Sequence, residues 1–188
     1  RPASLMRLCI FCGSKPGDNP AYAEAAAELG CMLARQQIGL VYGGASVGLM
    51  GVIADAALQA GGDVIGVIPG SLVDMEIAHP DLTHMHVVGS MHERKALMTD
   101  LSDGFIALPG GIGTLEELFE IWTWAQLGLH KKPYVLLNVA GYYNQLIGFL
   151  DEVAAAQFLK QQNRDMLIIA STPAEAIDSC LTCQAAAV

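Results

Sequence analysis

One pattern governs what this chain can fold into. Seven short, mostly apolar runs recur along it, most of them followed by a turn and then a helical stretch: Leu8–Phe11, Leu40–Tyr42, Val64–Ile68, Met85–Val88, Phe105–Leu108, Tyr134–Asn138 and Met166–Ala170. A strand with one wet face alternates apolar and polar residues, because successive side chains point to opposite sides. These runs do not alternate, so both of their faces must be covered, as in a parallel sheet flanked by helices. Strand, crossover helix, strand is the unit that builds such a sheet, with right-handed crossovers. The expected fold is therefore α/β, a doubly wound, mostly parallel sheet with helices on both faces. Ligands of such sheets lie beyond the carboxyl ends of the strands, and every glycine-rich loop of this chain falls at such an end.

Local signals agree with the pattern. Asn19-Pro20 supplies a cap and a proline for a first helical position, opening a helix expected to reach about Gln37. A second helix is expected from about Gly48 to Ala60, ended by Gly61-Gly62. A third begins near Met91, and Thr114 is expected to open a fourth. No linker or repeat divides the 188 residues, so one domain, 1–188, is expected. A chain of that length buries roughly 70% of its unfolded surface. Only 15% of residues are charged and 53% are hydrophobic, which excludes intrinsic disorder.

A formal charge of -9 argues against nucleic acid or an anionic membrane as partner, so any phosphate must be held by a local site. Gln36–Ala54 and Pro133–Leu150, the longest charge-free stretches, are interrupted by glycines or polar residues and do not read as membrane spans. The first residues lack the apolar core of a signal peptide, and a cytoplasmic address is expected. Two C-x-x-C pairs, Cys9/Cys12 and Cys180/Cys183, stand most of the chain apart, unlike paired zinc knuckles. The odd offset of Cys9 from Cys12 sends their thiols to opposite faces of a strand. His79, His84, His86, His92 and His130 show no metal-ligand spacing. No metal or redox cofactor is expected.

The distribution of cations is more telling. Between Arg35 and Lys131 the only Lys or Arg residues are Arg94 and Lys95, among eleven Asp and Glu residues. The pair is either an exposed helix turn with Glu93 and Asp100 as partners, or an anion clamp at the start of the helix after the fourth strand. Pro109-Gly110-Gly111-Ile112-Gly113-Thr114 joins a strand to a helix, where backbone N–H groups and the helix dipole can meet an anion. It lacks the Gly-Lys-Ser/Thr of a Walker loop and the third glycine of the dinucleotide fingerprint. Gly43-Gly44-Ala45-Ser46-Val47-Gly48 and Cys12-Gly13-Ser14 end two other strands. Three such loops and one Arg-Lys pair suggest a monophosphorylated ligand across the sheet edge.

Glu117 has two readings. With Thr114 as cap it completes a capping box. Beside a phosphate loop it can instead serve as a base or as an acceptor for hydroxyl groups. Leu115, Leu118, Phe119 and Trp122 recur at helical spacing and are expected to face the sheet. Ile121 and Trp124 fall on another side, expected either against a second subunit or under the protein's own loops.

Together these residues resemble a known family. Pro109–Glu117 fits P-G-G-x-G-T-x-x-E and Met91–Lys95 fits M-H-x-R-K. With Tyr42–Gly51 and Thr123–Gly128 they are similar to the LONELY GUY family of cytokinin riboside 5′-monophosphate phosphoribohydrolases, many once labelled lysine decarboxylases. The resemblance runs from Cys9 to about Pro173. It implies a Rossmann-like homodimer that cleaves the N-glycosidic bond of a purine nucleoside 5′-monophosphate, releasing base and ribose 5-phosphate. It implies Arg94 and Glu117 as the catalytic pair. The implied substrate contacts are Glu76, Lys95, Gly111, Ile112, Gly113, Thr114, Leu115, Glu116 and Thr123, joined by Ser14, Gly43, Gly44 and Met91 in the neighbouring loops and helix start. Ala45 stands where the family has a third glycine, and Ser90 where it has an aspartate. A non-catalytic nucleotide carrier or sensor on the same fold is the alternative. A pyridoxal-dependent decarboxylase would need Lys95 as its Schiff base.

Overall fold

The computed structural model describes residues 5–75 and 77–185; Glu76 lies outside the described residues. The elements run β1 (Arg7–Phe11), α1 (Pro20–Arg35), β2 (Gly39–Tyr42), α2 (Gly48–Gln59), β3 (Val64–Pro69), β4 (His84–Val88) and α3 (Met91–Leu101). They continue β5 (Gly104–Ala107), α4 (Ile112–Gln126), β6 (Tyr134–Leu137), α5 (Asn144–Ala155), α6 (Gln161–Asp165), β7 (Ile168–Ala170) and α7 (Pro173–Ala185). All seven strands form one parallel sheet in the order β4-β3-β2-β1-β5-β6-β7. The expected α/β, doubly wound architecture is the observed one.

The apolar runs explain the layers. Residues of β1, β2, β3, β5 and β6 are buried almost without exception. On one face Leu8, Ile10, Leu40 and Tyr42 pack with Ala26, Leu29 and Leu33 of α1, Ile53 of α2 and Ile177 of α7. On the other, Cys9, Phe11, Val41 and Phe105 pack with Met98 of α3, Leu118 and Trp122 of α4 and Leu150 of α5. Each fully buried leucine or isoleucine contributes about 1.5–3 kcal/mol. Cys9 and Cys12 fall in opposite layers, as their spacing required, and all five cysteines are free thiols. Asn19 caps α1 by accepting the Ala21 N–H at 3.0 Å.

Four expectations need correction. β4 is the sheet's edge, and His84, His86 and Val87 are exposed, so this run is not covered on both faces. The last strand begins at Ile168; the residues before Met166 form the short helix α6. Ile121 is 3% exposed and sits in the same apolar layer as Leu118 and Trp122, so it does not belong to a second apolar face of α4. Finally, α4 begins at Ile112 with Gly111 in the cap position and no side-chain cap. Thr114 therefore lies inside the first turn, Glu117 lies in the helix body, and the expected capping box does not form. Among the described residues no helix is long and apolar enough to cross a membrane.

Candidate active site

The order in which strands join the sheet locates the site. From β1 the chain builds outward through β2, β3 and β4, then returns to the other side of β1 with β5. The loops after β1 and β5 therefore diverge, leaving a crevice beyond the carboxyl ends of the strands. A cavity of about 480 Å³ fills that place. Its walls are the loop Cys12–Gly17, Gly43 after β2, the start of α2, Met91 and Arg94 of α3, Pro109–Gly111, the first turn of α4, Glu117, Tyr22 and Tyr142.

Arg94 is set by the sheet itself. It is only 3% exposed, which rules out the exposed helix turn. Its Nε donates to the Val67 carbonyl at 3.0 Å and its Nη2 to the Gly43 carbonyl at 2.6 Å. These carbonyls belong to β3 and to the residue just after β2, so the guanidinium spans the ends of two strands. Glycine is required at position 43 because a Cβ there would run into that guanidinium. Glu93, the supposed surface partner, instead caps the helix: its Oε2 accepts the Gly89 N–H at 2.6 Å, while Ser90 Oγ accepts the Glu93 N–H at 3.1 Å.

The start of α4 forms the opposite wall. Gly111 and Gly113 have open space where a side chain would stand. The first N–H groups of a helix lack intrahelical partners and carry its partial positive charge. The preceding carbonyls are already engaged: Pro109 accepts from the Gly13 N–H at 3.1 Å, Leu108 from the Tyr143 hydroxyl at 2.6 Å and Gly110 from the Tyr142 hydroxyl at 2.5 Å. The loop is thus held by its carbonyls, and its residues Pro109–Thr114 line the cavity.

Glu117 follows one turn later, lining both this cavity and a small void beside Phe11, Lys95, Thr99, Glu120 and Ile121. Its charge reaches the sheet. Burial, and next the Glu117 carboxylate, push the Cys9 and Cys12 thiols well above the ordinary cysteine range. Burial thus disfavours the thiolate of Cys12 in the cavity wall. Among the described residues no three His, Cys, Asp or Glu come together as a metal site.

Of the expected site residues, the structure brings together Ser14, Gly43, Met91, Arg94, Gly111, Ile112, Gly113, Thr114 and Glu117. It places Gly44, Leu115, Glu116, Thr123 and Lys95 outside the lining of the cavity. Lys95 bridges α3 to α4 instead, with Nζ 2.6 Å from Glu116 Oε1 and in contact with Glu120 Oε2. Burial alone would lower its pKa, but the two carboxylates hold it above the ordinary lysine value. Glu76 lies outside the described residues. Sequence reasoning missed Lys15, Tyr22 and Tyr142. The first follows Ser14 directly. The tyrosines meet edge to face at 5.4 Å, from α1 and the turn before α5.

Comparison with known proteins finds relatives over most of the chain. The family described as "possible lysine decarboxylase" matches residues 50–180. A cytokinin riboside 5′-monophosphate phosphoribohydrolase of Arabidopsis thaliana is 49% identical over 175 residues, spanning 93% of this chain and 82% of the relative. Its counterpart in Rhodococcoides fascians is 50% identical over 163 residues, 86% of this chain and 82% of the relative. Among solved structures, the Moco carrier protein from Chlamydomonas reinhardtii has a TM-score of 0.71 at 25% identity, covering 96% of this chain and 98% of that one. The molybdenum cofactor binding protein from Rippkaea orientalis has a TM-score of 0.71 at 22% identity over 99% of each chain, a likeness of fold alone. By sequence over nearly its whole described length, the chain belongs to the LONELY GUY family, that of the cytokinin riboside 5′-monophosphate phosphoribohydrolases.

Proposed function

We propose that the protein hydrolyses the N-glycosidic bond of a purine nucleoside 5′-monophosphate, a cytokinin riboside monophosphate or AMP, to free base and ribose 5-phosphate. The observation that carries this reading is the convergence of a carboxylate, Glu117, and a buried guanidinium, Arg94, on one cavity that an uncapped helix start also lines. Breaking the bond between ribose C1′ and the base leaves an oxocarbenium-like sugar and an electron-rich leaving base. Glu117 stabilises the cation and directs a water molecule onto C1′, as carboxylates do in glycoside hydrolysis. Water supplies hydroxide to the sugar and a proton to the base, so no further reactant is consumed. Arg94, pre-oriented by two carbonyls, meets developing negative charge without reorganising. The amides at Gly111–Thr114 receive the 5′-phosphate and fix the sugar against these groups.

The remaining assignments belong to the same proposal: one catalytic domain over residues 1–188, a homodimer and a cytoplasmic location. Exposed Leu127 and Leu129 beside Thr123 support pairing through the end of α4. Five free thiols support a reducing compartment. Incubation of the purified protein with isopentenyladenosine monophosphate and with AMP, followed by chromatography for free base, tests the activity and ranks the two substrates. A second reading, a carrier that binds a nucleotide-like ligand without cleaving it, is favoured by the likeness to the Moco carrier protein; intact nucleotide recovered from a stable complex would select it. Pyridoxal chemistry at Lys95 is disfavoured, because a Schiff base needs a neutral amine and the two carboxylates keep this one protonated.

A further inference from the structure

Resting on the phosphoribohydrolase reading, we infer that Lys15, in the loop after β1, is the side-chain cation that receives the substrate's 5′-phosphate, and that Lys95 is not. The charges of the cavity carry this inference. Among the described residues, the Lys, Arg, Asp and Glu side chains on its walls are Lys15, Arg94 and Glu117. Arg94 and Glu117 cancel formally, and Arg94 already commits two of its N–H groups to the Val67 and Gly43 carbonyls. A phosphate monoester brings about -1.5 to -2 charges at pH 7. A helix N-terminus offers roughly half a positive charge, so the amides of α4 leave most of that charge unmatched. In a protein of net charge -9 the deficit must be met locally.

Lys95 is engaged elsewhere, against Glu116 and Glu120, outside this cavity. Lys15 is placed for the task. Its loop is tied on both sides, by the Gly13 N–H on the Pro109 carbonyl at 3.1 Å and by the Leu49 N–H on the Gly13 carbonyl at 3.0 Å. Gly48, with φ of +59°, lies so close to Ser14 and Lys15 that any Cβ would strike their backbone. The backbone of Lys15 is therefore held beside the phosphate loop. Its exposed side chain has no carboxylate partner among the described residues. An ammonium on a flexible stem suits a phosphate whose position is already set by backbone amides.

The test compares wild type with Lys15→Met, Lys15→Arg and Lys95→Met, each shown to be folded by its thermal melt. Ribose 5-phosphate binding is measured by titration calorimetry, and kcat and KM are measured for AMP. A lost charge-assisted contact corresponds to about a 10- to 150-fold weakening. Lys15→Met is expected to weaken ribose 5-phosphate binding by that factor, to raise KM more than it lowers kcat, and to be largely rescued in Lys15→Arg. The loss in Lys15→Met exceeds that in Lys95→Met. Wild-type affinity in Lys15→Met, or the reverse order of the two lysines, overturns the inference. If wild type releases no base at all, the hydrolase reading fails, while the ribose 5-phosphate titrations still decide the role of Lys15.

Discussion

Gly43→Ala probes Arg94 without changing its side chain. The Gly43 carbonyl accepts from Arg94 Nη2 at 2.6 Å. A Cβ at position 43 would intrude on that same nitrogen and come within 3.0 Å of Met50 Sδ. The thioether can swing away, since methionine is flexible. The guanidinium cannot, because its Nε is held by the Val67 carbonyl at 3.0 Å. One charge-assisted hydrogen bond is then lost, worth about 1.5–3 kcal/mol. Overpacking adds a stability cost of about 1–3 kcal/mol. If the bond orients Arg94 in the transition state, kcat/KM falls about 10- to 150-fold, at one decade per 1.36 kcal/mol. The melting temperature falls by about 2–4 °C per kcal/mol. Steady-state kinetics on AMP and a thermal melt read both effects. Wild-type kcat/KM together with a wild-type melt would refute this placement of Arg94.

Other predictions follow from the same geometry. Arg94→Lys keeps the charge but cannot donate to both carbonyls and still face the cavity, so base release is expected to fall by about 100-fold or more; near-normal turnover would reduce Arg94 to a distant charge. Adenosine is expected to show a kcat/KM at least about 100-fold below that of AMP, since the amides at Gly111–Thr114 would have nothing to hold; equal efficiencies would remove the phosphate from the site. His130 is held by two backbone contacts: its Nε2 lies 2.8 Å from the Ile121 carbonyl and its Nδ1 accepts the Lys132 N–H at 3.1 Å. Burial, and also the Lys132 charge, outweigh the Ile121 carbonyl and lower its pKa below the ordinary 6.5. The unfolded chain then takes the proton first, so this contribution is present above about pH 6.5 and is lost as pH falls through the folded pKa. Melting temperatures are expected to drop more steeply between pH 7 and 5 in wild type than in His130→Gln, and equal slopes would refute this.

Much of this was legible in the chain because it is local. Apolar runs such as Leu8–Phe11 and Val64–Ile68 read as buried parallel strands, since covering both faces leaves no polar position. The isolation of Arg94 and Lys95 in an acidic stretch marked the pair but left an exposed helix turn and an anion clamp both open, and burial of Arg94 excludes the first. What failed depended on packing that residue patterns do not encode, whether near in sequence or far. α4 starts at Ile112, and Thr114 packs against Gly110, where a Cβ would strike its hydroxyl; the box pattern Thr114–Glu117 is blind to that packing. Lys95 and Arg94 are adjacent, yet neighbours on a helix diverge by about 100°, so one enters the sheet and the other meets α4. Tyr142 reaches the Gly110 carbonyl across 32 residues. No spacing rule announces such a contact.

The central claim is that Glu117 performs chemistry in this cavity, and base release by Glu117→Gln tests it most directly. The amide preserves the size and helical setting of the side chain, removes its charge and turns one acceptor oxygen into an N–H donor. Wild type and variant are incubated with isopentenyladenosine monophosphate and with AMP, and free base and ribose 5-phosphate are quantified by chromatography. The account predicts equimolar products from wild type, a loss of at least about 100-fold in the variant, and an unchanged thermal melt. Wild-type turnover by Glu117→Gln, or intact nucleotide recovered from both proteins, would contradict it.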